Sequence, residues 1–174
     1  MEPFYADDEV AILGINTARS LTWKGGRIGH GQILRIEERF ANRAKNVTKI
    51  LVTHHPFDLP ESYSGKHLVG RAQLAIARLA NAGVDLLLAG HLHRSHSGQT
   101  AARYGTSGHS AIFVQAGTAL STRSRGEENS FNAIRIDGRR ISIDRYSWSV
   151  DICAFRLEAS EEFRRSETGW SRAE

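Results

Sequence analysis

Cysteine is all but missing from this chain: Cys153 stands alone among 174 residues, which excludes an internal disulfide and argues against a thiolate metal site. That scarcity fits a reducing compartment, and the cytoplasm is the expected location. Long apolar runs are missing too. Stretches such as VDLLLAG, 84 to 90, fall far short of the roughly 20 residues that span a bilayer. The opening MEPFYADDEV has neither the basic start nor the apolar core of a signal peptide, so neither membrane association nor export is expected. A strong excess of one charge is also lacking, since a net charge of +4 is modest at this length. Arg123, Arg125, Arg139, Arg140 and Arg145 gather late in the chain, but Glu127, Glu128, Asp137 and Asp144 are interspersed with them. A solvated mixed-charge surface is the reading, without specific nucleic-acid binding.

What is present describes a folded, soluble chain. Hydrophobic residues make up 40% and charged residues 24%, near the averages for globular proteins. The length suits one domain over 1–174, with a core at about 9–158 and a loosely held tail at 159–174. EVAILGI, TKILVT and VDLLLAG are short apolar runs bounded by polar residues, as buried strands are. Between the first two, Ile33, Ile36, Phe40 and Ala44 recur at helical spacing, and between the last two Ala72, Ala75 or Ile76, and Leu79 do the same. Gly83 is placed to end that second helix. Strand, helix, strand implies parallel strands joined by a right-handed crossover. Beyond it AIFVQAG, FNAIRID, RISIDRYSW and ICAFRLEA read as further strands, with DGRR as a turn, so the C-terminal half is expected to be an antiparallel meander.

Two of the strands run straight into histidines: ILVTHHP at 50–56 and LLLAGHLH at 86–93. If these strands are parallel neighbours, their C-terminal ends lie about 5 Å apart. His54 and His91 then emerge at one sheet edge, where open α/β sheets place their ligands, and His93 can turn back toward the same point. Three neutral imidazoles there make a plausible site for a divalent ion. His55, His67, His96 and His109, taken singly, read as hydrogen-bonded or exposed residues.

VTHHP followed by AGHLH resembles the last two sequence blocks of the calcineurin-like metallophosphoesterases, in particular their cyclic-nucleotide-phosphodiesterase-like branch. GINTAR at 14–19 and QAGTALSTRSRGEENSFN at 115–132 extend the likeness over most of residues 10 to 145. The resemblance implies the C-terminal portion of a metallophosphoesterase-like α-β-β-α sandwich, with a mixed sheet carrying histidines at strand C-terminal ends. It implies a hydrolase of phosphodiester or phosphomonoester bonds using two divalent ions, of manganese, iron or zinc. Carried over, His54 and His91 would bind the second metal and His93 the first, with His55 no closer than a supporting position.

The earlier family blocks, Asp-X-His, Gly-Asp and Gly-Asn-His with a following acid, have no counterpart here. The bridging carboxylate and the histidine that assists the leaving group are therefore missing, and this chain alone is expected to hold one metal or fewer. Its appearance is that of a truncated or C-terminal part of a longer protein. Missing strands would leave a sheet edge through which it pairs with itself or with a complementing chain. Alternatives are a mononuclear three-histidine site and a non-catalytic metal- or phosphate-binding module. Asn16, Arg94, Arg123 and Arg125 are candidate contacts to a phosphate-ester substrate, and Arg19, Asn129 and Asn132 could also line the pocket.

Overall fold

The computed structural model describes residues 2–18, 26–60, 63, 65–105, 108–121 and 127–173. In chain order its elements are β1 (Phe4–Ala6), β2 (Val10–Ile15), α1 (His30–Ala41), β3 (Thr48–Thr53), α2 (Ala72–Asn81), β4 (Leu86–Ala89) and β5 (His96–Gln99). There follow α3 (Thr100–Tyr104), β6 (Ile112–Gln115), β7 (Ser130–Asp137), β8 (Arg140–Ser149), β9 (Ala154–Ser166) and β10 (Gly169–Arg172).

Both long helices form where apolar residues recur at helical spacing. Helix α1 buries Ile33, Ile36 and Phe40, and its first turn is closed by the Gln32 side chain, which accepts the Gly29 N–H at 2.8 Å. Helix α2 buries Ala72, Ala75, Ile76 and Leu79 and gives way to Gly83 at φ 69°, a left-handed position that glycine takes without strain. Ala44 lies beyond the end of α1 and is exposed.

The first sheet has the order β1-β2-β3-β4-β6-β5, in which β2, β3, β4 and β6 are parallel and the two edge strands antiparallel. The second is an antiparallel meander in the order β10-β9-β8-β7, as expected for its strands, but AIFVQAG, expected to belong to it, is β6 and pairs in parallel with β4 in the first sheet. Adjacent residues of the central strands serve opposite faces, as the pleat requires. Leu51 and Leu87 join Ile36, Phe40, Ile76 and Leu79 beneath the helices. Ile50, Leu86, Ile112 and Val114 instead meet Ile141, Ile143, Phe163 and Trp170 between the sheets. Among the described residues no helix is long and apolar enough to cross a membrane.

The tail is a correction. Residues 159–172, expected to be loosely held, carry the second half of β9 and the whole of β10. Phe163 is fully buried and Trp170 is 2% exposed, because each fills the gap between the sheets. Trp170 also reaches a buried carboxylate. Its Nε1 donates to Asp85 at 2.8 Å, and the same oxygen lies 3.0 Å from His109 Nε2 and 3.1 Å from Arg165 Nη2. The other oxygen of Asp85 accepts the Lys49 N–H at 2.9 Å.

Asp85, fully buried, thus ties β3, β4 and the last two strands together. Asp85→Ala would strand a guanidinium and three further donors, and is expected to lower stability by roughly 3–5 kcal/mol. Chemical denaturation followed by tryptophan emission checks this. A loss under about 1 kcal/mol, the size of an ordinary surface change, would contradict the bracing role.

Candidate metal centre

The parallel register of β3 and β4 sets the site. Ile50, Leu51 and Val52 lie beside Leu86, Leu87 and Leu88, and the ladder runs on past the strands, with Gly90 N–H donating to the His54 carbonyl at 3.3 Å. His54 and His91 are thereby delivered to one edge, as the strand pattern predicts. His91 Nδ1 lies 3.1 Å from His54 Nε2.

The third member is His55. Its ring centroid is 4.8 Å from that of His54 and 4.5 Å from that of His91, and one nitrogen from each ring falls within 4.8 Å of the others. A tetrahedral ion about 2.1 Å from each nitrogen would set the nitrogens about 3.4 Å apart, so modest ring movement closes the group on one ion. His55 is 6% exposed. Its burial, and then the neighbouring His91 and His54, push its pKa down to about 4, so it is neutral near pH 7 with a lone pair to give.

Two residues hold that ring. Thr17 Oγ1 accepts the His55 backbone N–H at 3.1 Å and lies 2.9 Å from its Nδ1, so one buried hydroxyl fixes both the main chain and the ring. A hydroxyl both donates and accepts, and therefore suits either ring tautomer. Gly26 faces the same ring at such close range that a Cβ there would sit 2.0 Å from Nδ1. Sequence reasoning missed both residues, although Thr17 stands in the GINTAR stretch.

His93 lies outside the three-histidine group. Backbone conformation separates it from His91: both residues have positive φ, 75° and 59°, while Leu92 between them is buried. Such left-handed turns at non-glycine residues are costly and gather at functional sites. Gly90, just before His91, has only open space where a Cβ would go. The Nδ1 of His93 is buried without a hydrogen-bond partner.

The loop after the histidine pair is pinned by Asp58. It accepts the Leu59 N–H at 2.8 Å and lies 2.9 Å from His96 Nε2 and 2.8 Å from Arg103 Nη1, which joins the loop to β5 and α3. Burial alone would push the Asp58 carboxyl up. The hydrogen bonds from His96 and Leu59 and the Arg103 charge outweigh it and hold the pKa below the usual 3.8.

Those expected phosphate contacts that are described have partners within the protein. Asn16 accepts the Ala18 N–H at 2.9 Å, a turn role. Arg94 pairs with Glu127 at 3.3 Å and lies over the Tyr63 ring. Asn129 and Asn132 face Thr118 and the Gln115 carbonyl. Arg19, Arg123 and Arg125 fall outside the described residues. No carboxylate belongs to the three-histidine group, so among the described residues the donors suit one ion and lack the bridging anion that a pair would need.

No protein-family model matches the sequence, and no curated protein does. Solved structures share the fold. GAP50, the anchor in the inner membrane complex of Plasmodium, superposes with a TM-score of 0.54 at 13% identity, covering 91% of this chain and 54% of that one. This chain therefore spans about half the length of that structure. A putative 5'-nucleotidase from Staphylococcus aureus matches at TM-score 0.42 and 12% identity over 92% of this chain and 28% of that one. Vps29 from Entamoeba histolytica, in complex with zinc, matches at 0.36 and 14% over 84% and 96%. A mixed six-stranded sheet with histidines at its strand ends, packed on a separate antiparallel sheet, is the metallophosphoesterase-like fold that the motifs imply.

Thr17→Val is expected to weaken zinc or manganese binding about 10–100-fold, the usual effect of losing an outer hydrogen bond to a ligand. Competition with a chromogenic chelator measures it, and an unchanged affinity would remove His55 from the ligand set. For Asp58, the stability tied to its lowered pKa is present above 3.8 and disappears as pH falls through the lower folded value. Asp58→Asn should therefore be less stable than wild type at neutral pH and close to it in strong acid. Urea unfolding across pH reads the gap, and a gap that is independent of pH would refute the assignment.

Proposed function

We propose that this chain is a metal-dependent phosphoesterase module in which His54, His55 and His91 hold one divalent ion of manganese, iron or zinc. The observation that carries the reading is the group itself: three imidazoles within 4.8 Å at the C-terminal edge of parallel strands, where α/β folds place chemistry. A bound ion supplies Lewis-acid polarisation of a phosphoryl oxygen. The chain's own contribution is to orient the ligands. Thr17 fixes His55, the β3–β4 register fixes His54 and His91, and burial keeps His55 neutral and ready to donate.

The substrate proposed is a phosphodiester or phosphomonoester, and the fold resemblance supports that class. A second reading, a metal- or phosphate-binding module without turnover, is favoured by one observation: no carboxylate accompanies the three histidines. Self-association through the outer edge of β7 is a further proposal, supported by that strand's position at the end of the second sheet among the described residues.

Elemental mass spectrometry of the purified chain, with hydrolysis of bis(p-nitrophenyl) phosphate in added manganese, tests both readings. Close to one metal per chain is expected, lost in His91→Ala and kept in His93→Ala. Turnover that disappears with the metal supports the esterase. Bound metal without turnover selects the binding module, and a metal content unaffected by His91→Ala would overturn both.

A further inference from the structure

A cleft of about 310 Å³ opens beside Ser95, over residues of β7, β8 and β9. Two arginines enter it. Ser147 of β8 lies opposite Arg156 of β9, and Arg145 stands two residues before Ser147, on the same side of its strand. The pairing then skips Glu158, which stands as the extra residue of a bulge and also lines the cleft. Bulges re-aim side chains in this way beside functional sites.

The described arginines differ in their partners. Arg35, Arg78, Arg103, Arg135, Arg165 and Arg172 each have a carboxylate partner. Among the described residues, Arg145 and Arg156 have none, and neither do Arg27, Arg39, Arg43, Arg71 and Arg139, but only Arg145 and Arg156 share this cleft. Arg145 Nε is moreover buried without any acceptor, a state that a guanidinium leaves only by gaining an anion or water. The carboxylates nearby are mostly engaged. Glu127 takes the Ser95 N–H at 2.9 Å and pairs with Arg94, Glu158 accepts the Ser147 hydroxyl, and Glu128 is exposed at the rim.

We infer that this cleft is a phosphate-binding site built on Arg145 and Arg156, separate from the three histidines and independent of metal. Guanidiniums match phosphate oxygens, and both arginines line the cleft. Hydrogen phosphate also carries a P–OH, which suits Glu158 as an acceptor where a fully ionised anion would be repelled. A cleft of this volume exceeds the phosphate itself, and Trp148 in its wall offers a face for the organic part of a phosphate monoester.

The ligand differs in place and chemistry from the metal, so the two readings fail separately. Inorganic phosphate is titrated into the chelator-treated protein by calorimetry, with His91→Ala as a control that retains the cleft. Saturable binding is expected in both, reduced at least tenfold in Arg156→Gln and in Arg145→Gln, with Arg156→Lys in between. Arg156 is exposed, so its variants are expected to fold, and thermal melting verifies that. Absent binding, binding that requires metal, or binding unchanged in both glutamine variants would overturn the site. None of those outcomes bears on metal binding by the histidines.

Discussion

The register between β3 and β4 is the constraint on which the site depends. Parallel strands with a two-residue side-chain period tolerate no slip, because moving one strand by a residue would exchange the faces of Ile50 and Leu51 and empty both cores. The register is also fixed from outside the apolar contacts. Asp85, at the threshold of β4, accepts the Lys49 N–H through its side chain and donates its own N–H to the Lys49 carbonyl at 2.9 Å. A carboxylate at the N-terminal end of two strands thereby determines which residues stand together at the other end.

That arrangement divides labour along the sheet. At the Asp85 end, a buried charge with several donors resists any rearrangement of β3, β4 and the closing strands. At the histidine end, the backbone accepts left-handed conformations at His91 and His93 while Leu92 anchors the turn in the interior. Strain of this kind persists only where the surroundings over-determine it, and the fixed register supplies that support. Thr17, just past β2, and Gly26 then complete the packing around His55.

Much of this was legible in the sequence, for a physical reason: buried parallel strands are continuous apolar runs, and amphipathic helices show their period. The three central strands, both long helices and the meander follow from those signals. β1, β5 and β10 do not, since HSGQ and GWSR are too short and too polar to show a strand pattern, and only pairing with a neighbour makes them strands. The same limit applies to the site. Adjacent residues of an extended strand point to opposite faces, so the pair His54 and His55 suggests one ligand, not two. The chain leaves the strand at His54, and that turn brings both rings together. Arg145 and Arg156 read as surface charges because nothing in sequence shows which arginines find carboxylates.

The donor set also bears on how many ions the site can hold. Two divalent ions about 4 Å apart, the spacing of two-metal hydrolases, repel by roughly 17 kcal/mol at an effective dielectric of about 20. Carboxylates and a bridging anion normally offset that repulsion. Neutral imidazoles bring lone pairs but no negative charge, and the group of His54, His55 and His91 contains no acid. Thr17 and Gly26, which enclose His55, are likewise uncharged, and the Asp58 carboxylate is already turned to His96 and Arg103. Electrostatics therefore favours a single ion in the three-histidine group, with any second ion requiring negative charge from beyond the residues described.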